Sequence, residues 1–120
     1  MTKLLIIDDE TKLRETIAEL FAFTGYNVIE AQDGIEGLEK VKEHNPSLII
    51  CDLMMPKLDG YGFLKKHKKS IHSGIPVLLL TAKIEPADEL MGISLGAKGY
   101  VRKPFNFKEL KNIVEEHLTA

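Results

Sequence analysis

Five side chains of this 120-residue chain have types and positions suited to phosphate chemistry: Asp8, Asp9, Asp52, Thr81 and Lys103. Each sits at the end of a short run that reads as a buried strand. Leu4 to Ile7 leads into Asp8-Asp9, Leu48 to Cys51 into Asp52, Val77 to Leu80 into Thr81, and Gly99 to Arg102 into Lys103. Three carboxylates in one crevice repel each other, and one lysine cannot balance them, so a hard divalent cation is expected. Oxygen ligands suit Mg2+, which keeps several waters and bridges carboxylates to phosphate oxygens; Mn2+ could substitute. Asp52, the central acid, can act as a carboxylate nucleophile and form an aspartyl phosphate. Lys103 and the cation would then stabilise charge on the transferring phosphoryl group, and Thr81 offers it a hydroxyl. No glycine-rich phosphate loop or Walker-type lysine loop is present, so a bound nucleotide is not the expected phosphoryl source.

The elements that position these residues follow from apolar periodicity. Uninterrupted apolar runs imply strands buried on both faces, as in a parallel sheet. Between them lie amphipathic patterns: Leu13, Ile17, Leu20, Phe21 and Thr24; Ile35, Leu38 and Val41; Phe63, Leu64 and His67; Leu90, Met91 and Leu95; Leu110, Ile113, Val114, His117 and Leu118. Tyr26 to Ile29 supplies the remaining strand. Gly25 suits the left-handed residue after the first helix, Asp59-Gly60 the turn into the third, and Pro86 the first turn of the fourth. Acids at 8–10 also suit the start of the first helix. Five strands alternating with five helices predict an α/β fold, a parallel sheet with helices on both faces and right-handed crossovers. In the order 2-1-3-4-5 the three acids flank the switch point beyond the strands' carboxyl ends, where such sheets bind.

Composition narrows the classes. The size fits a single domain, 1-120, with a core that needs no staples. A net charge of −2 gives no basic footprint for nucleic acid. One cysteine, Cys51, allows no internal disulfide and reads as a packed core thiol. No apolar stretch approaches the roughly 18 residues of a membrane span, and the start is not a signal peptide, so a cytoplasmic protein is expected. The four histidines, His44, His67, His72 and His117, lack ligand spacing and are expected in surface or interface packing. The run Lys65-Lys66-His67-Lys68-Lys69 reads as a solvated helix face.

Together Asp8-Asp9, Asp52-Leu53-Met54-Met55-Pro56-Lys57-Leu58-Asp59-Gly60, Thr81-Ala82, Gly96-Ala97, Tyr100 and Lys103-Pro104-Phe105 resemble the receiver domain of two-component response regulators, the CheY-like fold. The resemblance covers essentially the whole chain. It implies that Asp52 accepts a phosphoryl group from a phosphohistidine on a sensor histidine kinase or phosphotransfer protein. It implies that Asp9, Asp52 and the Met54 backbone carbonyl bind Mg2+, with Asp8 orienting it through water. Lys103 would pair with Asp52 and then with the phosphate. Thr81 and Tyr100 would move inward together and remodel the face of the fourth helix, fifth strand and fifth helix. The Lys103–Pro104 bond would be cis. Such a domain is a signalling phosphoacceptor and not an enzyme acting on other substrates.

Two positions set phosphoryl lifetime in such domains, here Met54 and Lys83, and an apolar and a basic residue there predict no fast self-hydrolysis. The Thr81-to-Gly96 spacing resembles receivers joined to winged-helix DNA-binding domains, which dimerise through salt bridges on that face after phosphorylation. Here Lys98 and Ile113 stand where the pairing acid and arginine are typical, which argues against that dimer or for a different one. With no output domain after the last helix, the expected chain is either a stand-alone receiver or one cut from a longer regulator. Three other readings fit less well. A phosphohydrolase using an aspartyl phosphate would carry Asp-x-Asp after strand one. A flavodoxin-type binder would have a first loop rich in Ser, Thr and Gly. A docking module that works without phosphorylation would lack some of the five site residues.

Overall fold

The computed structural model describes residues 2–82 and 85–119. Ten elements alternate without exception: β1 (Lys3–Ile7), α1 (Thr11–Phe23), β2 (Asn27–Ala31), α2 (Gly34–His44), β3 (Leu48–Asp52), α3 (Gly60–Lys68), β4 (Val77–Thr81), α4 (Pro86–Ser94), β5 (Gly99–Arg102) and α5 (Phe107–Thr119). The five strands form one parallel sheet in the order β2-β1-β3-β4-β5.

Alternation along the central strands divides the core in two, because successive side chains leave a strand on opposite faces. Leu5, Ile7, Ile49, Cys51, Val77 and Leu79 pack on one side with Val41 of α2 and Phe63 and Leu64 of α3. Leu4, Ile6, Leu48, Ile50, Leu78 and Leu80 pack on the other with Ile17 and Phe21 of α1 and Leu110 and Val114 of α5. Both β3 and β4 are buried along their whole length, which is why their sequences show no polar alternation.

Local chemistry sets the boundaries. The end of α1 is a Schellman motif: Gly25, at φ 101, lies between Tyr26 N–H bonded to the Phe21 carbonyl and its own N–H bonded to Ala22. The Tyr26 and Phe21 rings meet edge-to-face at 5.5 Å. Tyr26 therefore belongs to the helix ending, and β2 runs one residue later at its start and two later at its end than the apolar run Tyr26 to Ile29 predicts. Asp33 and Asp59 cap α2 and α3 by accepting from Glu36 N and Gly62 N, each within 2.9 Å. By contrast, α1 starts only at Thr11, with no acid in its first turn and no side-chain cap. The acids at 8–10 precede the helix. The third helix stops at Lys68, and beyond it the Ser70 hydroxyl bonds back to the His67 carbonyl.

Candidate functional site

The sheet's register brings the strand ends level. Ile7 is paired with Cys51, Asp52 with Leu80, and Thr81 with Arg102, so Asp8, Asp52, Thr81 and Lys103 emerge along one rim. The Lys103 N–H donates to the Thr81 carbonyl at 2.9 Å, and the Lys103–Pro104 peptide is cis. Asp8, Asp52 and Thr81 are all buried, at 0%, 4% and 2% exposure.

Lys103 Nζ lies 3.4 Å from Asp52 Oδ1, 3.2 Å from Glu10 Oε1 and 3.7 Å from Asp8 Oδ2. One lysine thus faces three carboxylates. Among the described residues, Asp8, Glu10 and Asp52 form a group whose ligand oxygens all lie within 4.8 Å of one another. Asp8 Oδ1 accepts from the Glu10 N–H at 2.9 Å, while the buried Oδ2 has no hydrogen-bond partner. An all-oxygen donor set with excess negative charge and a buried carboxylate oxygen that accepts no hydrogen bond fits a hard divalent cation.

The charges at this rim perturb one another. Burial, with the Asp8 charge second, pushes the Asp52 carboxyl up to about 6 against the opposing pull of Lys103. Burial also raises Asp8, opposed by the Glu10 N–H and by Lys103. Burial alone would lower Lys103, but the charges of Asp8 and Asp52 outweigh it and hold the ammonium above its ordinary value. Cys51 is fully buried, and desolvation with the neighbouring Asp52 charge pushes its thiol far from ionisation. It is a core residue.

Asp9 is exposed, and its carboxylate is not one of the three that converge; the Glu10 carboxylate is. Nothing in the spacing distinguishes these two neighbours. The chain's turn at Asp8 does, through the hydrogen bond to the Glu10 N–H. Met54 lies past β3 with its side chain 59% exposed. Lys83, which the resemblance pairs with Met54 in setting phosphoryl lifetime, lies outside the described residues. Tyr100 is half-buried, and its hydroxyl donates to the Asp88 carbonyl of α4. The Tyr61 hydroxyl reaches the same carbonyl at 3.2 Å, a contact no sequence pattern announced. Beside the rim, an open, mainly apolar groove of about 460 Å³ runs between Leu13, Thr16 and Leu20 of α1 and the segment Lys103, Pro104 and Phe105.

Among the histidines, His67 departs from surface packing. It is buried, stacked on Phe63 at 5.6 Å, with Nε2 2.9 Å from the Ile75 carbonyl. The four lysines around it are exposed. Among the described residues, no helix is long and apolar enough to cross a membrane.

Known proteins resemble this chain in sequence and fold. The family described as "Response regulator receiver domain" matches residues 4–115. The chain is 44% identical over 109 residues to a probable transcriptional regulator, ycf27, of Porphyridium aerugineum, covering 91% of this chain and 45% of that protein. It is 42% identical over 110 residues to the transcriptional regulatory protein CpxR homolog of Haemophilus influenzae, covering 92% of this chain and 47% of the relative. The chain thus spans slightly less than half the length of these curated relatives. Among solved structures, the chemotaxis response regulator CheY4 of Vibrio cholerae superposes with a TM-score of 0.92 at 31% identity, covering 98% of each chain. A strand-end rim of buried acids facing one lysine, on a sheet of order 2-1-3-4-5, together with these matches identifies the chain as a member of the response regulator receiver family of two-component systems.

Proposed function

We propose that this receiver is switched by Mg2+-dependent phosphorylation of Asp52. The observation that carries the proposal is the Asp52 carboxylate at a strand end, 3.4 Å from Lys103 and grouped with Asp8 and Glu10. One Asp52 oxygen attacks the phosphorus of a phosphohistidine on a histidine kinase or phosphotransfer protein. The P–N bond breaks, its electrons leave with the imidazole, and an acyl phosphate remains on Asp52. Lys103, already pulled toward three carboxylates, turns to the new phosphoryl oxygens. Asp8, Asp52 and the Met54 backbone carbonyl would hold Mg2+, with Asp9 turning in from its exposed position and Glu10 at hand as a further oxygen donor. When bound, the cation supplies positive charge that neutralises the transferring group. The apolar groove between α1 and Pro104–Phe105 offers the donor protein a seat beside Asp52.

Thr81 and Tyr100 would then couple the phosphate to the α4–β5–α5 face. Helix α4, one side of that face, exposes Leu90, Met91 and Ile93 at 67%, 50% and 51%, apolar surface that a partner or a phosphorylation-dependent second copy would cover. Similarity to proteins named transcriptional regulators supports a downstream role in transcription. With Met54 and Lys83 at the lifetime positions, the phosphate outlasts seconds; a half-life of seconds would sink this part of the proposal.

The test is incubation with acetyl phosphate, with and without Mg2+, on the wild type and Asp52→Asn, read by intact mass. A single phosphoryl adduct that needs Mg2+ and vanishes in the variant is expected. No adduct, or one that survives the substitution, rejects Asp52 as acceptor and favours a docking module that works without phosphorylation.

A further inference from the structure

Helix α4 has few attachments to the rest of the molecule. Gly92 is its one buried residue, and Leu90, Met91 and Ile93 point largely to solvent. Yet one oxygen near its start is held from two sides. The Asp88 carbonyl accepts from Tyr100 of β5 and from Tyr61 of α3, the latter at 3.2 Å. The Tyr61 hydroxyl also lies 3.3 Å from Asp88 Oδ1. Each hydroxyl has one proton: that of Tyr100 goes to the Asp88 carbonyl, and that of Tyr61 is divided between the same carbonyl and the Asp88 carboxylate. Burial raises both phenols above their ordinary ionisation range, in Tyr100 against the opposing effect of the Tyr61 hydroxyl, so both remain donors.

Tyr61 is also tied to the acceptor strand. It follows Gly60, whose N–H donates to the Leu53 carbonyl at 2.8 Å. A Cβ at Gly60 would lie 2.8 Å from the Asp52 carbonyl oxygen and from Leu53 Cα, so the start of α3 is pressed on the backbone of Asp52 itself. A short path thus leaves Asp52 through Gly60 and Tyr61 and reaches Asp88, the same carbonyl that Tyr100 holds.

We propose that Tyr61 is a positioning residue of the switch: its hydroxyl, together with that of Tyr100, seats α4 through the Asp88 carbonyl in the unphosphorylated arrangement. This deepens the function proposed above and rests on it for its link to phosphorylation. Movement at the β3–α3 turn when Asp52 is modified would be felt at Asp88 through Tyr61, independently of Thr81. Spatial adjacency alone does not demonstrate coupling, so the test measures it.

The 120-residue chain is compared with Tyr61→Phe, Tyr100→Phe and the double variant, each of which keeps the ring and removes only a hydroxyl. In the unphosphorylated protein, amides of α4 should exchange about fivefold faster in Tyr61→Phe, the factor expected for one lost hydrogen bond. Amides of β1 and β3 should be unchanged. Affinity for beryllofluoride with Mg2+, a phosphoryl mimic, should tighten about fivefold, because the variant no longer resists the change. The double variant should depart from the product of the single effects by more than twofold. Unchanged exchange in α4, or a rise spread over the whole sheet, overturns the seating role. Unchanged or weakened beryllofluoride affinity, or single effects that simply multiply, overturns the coupling. If the wild type does not take beryllofluoride, the function proposed above fails and the coupling with it, and the exchange result still decides whether Tyr61 seats α4.

Discussion

Among the described residues, Lys103 is the one cation that reaches all three converging carboxylates, at 3.2 to 3.7 Å. Replacing it with Met should slow phosphorylation by acetyl phosphate roughly 100-fold, the loss typical for a preorganised charge partner. Mg2+ affinity should be kept or improved, since a competing cation is gone. Kinetics by intact mass and a Mg2+ titration check both; a rate loss under tenfold would remove Lys103 from phosphoryl transfer. Asp52 carries a stability consequence as well. Its carboxyl is raised to about 6 by burial and Asp8, so its contribution to folding is full below the ordinary carboxylate value and is lost as pH rises through about 6. Without divalent ions, Asp52→Asn should therefore melt higher than the wild type at pH 8, on the order of 5 °C for a domain of this size. The difference should shrink at pH 5. An equal or lower melting temperature for the variant at pH 8 would show that Lys103 already compensates the buried charge. Asp8, Asp52, Thr81 and Lys103 were legible in the sequence because each ends an apolar run, and parallel strands deliver their ends to one rim. Glu10 was not, because choosing between adjacent acids depends on a backbone turn that leaves no pattern.

At the level of elements, the strands were the easiest to read, since β3 and β4 are buried on both faces and their runs are unbroken. Boundaries were harder. Tyr26 looks like a strand residue by type but is spent on the Schellman ending of α1, and only the hydrogen bond to Phe21 reveals it. The apolar pattern of α4 suggested an inward face, but Leu90 and Met91 turn out to solvent. What seats α4 is a notch: a Cβ at Gly92 would lie 2.8 Å from Tyr100 Cε2 and closer still to its hydroxyl. Gly92→Ala should improve helix propensity by about 1 kcal/mol and still force Tyr100 off Asp88. NMR of the Tyr100 ring and the α4 amides should show that displacement without loss of the fold; an unmoved ring would mean that α4 itself yields. In α3, His67 is buried with Nδ1 lacking a partner, and burial lowers its pKa despite the Ile75 carbonyl. Its neutral form stabilises α3 above about pH 6.5, and that contribution is lost as pH falls from there through the lowered folded value. Acid unfolding of His67→Leu should accordingly start at lower pH than in the wild type. Coincident acid transitions would leave His67 without a role in acid sensitivity.

Across the whole molecule, burial is distributed unevenly, and the uneven half is the one proposed to switch. The sheet's centre, β1 and β3, is covered on one face by α1 and α5 and on the other by α2 and α3. Helix α1 commits Ile17, Ala18 and Phe21 to that core, whereas α4 commits only Gly92. At the far edge, β5 is the shortest strand described, and Val101 is its one buried residue. Opening free energies follow such differences, since a segment with little buried apolar surface opens at low cost while central strands open only with the whole fold. A phosphate on Asp52 can shift only an equilibrium whose two states lie within a few kcal/mol, and the sparsely buried α4–β5 edge is where the proposed switch would find one. Amide exchange of the unphosphorylated chain should therefore show α4 exchanging at least a hundredfold faster than β1 and β3. Beryllofluoride with Mg2+ should change rates in α4, β5 and the start of α5 while leaving α1 and β1 unaltered. Protection that is even across the sheet's helices, or a response centred on α1, would place the movable part of this receiver elsewhere and leave the exposed Leu90, Met91 and Ile93 as ordinary surface.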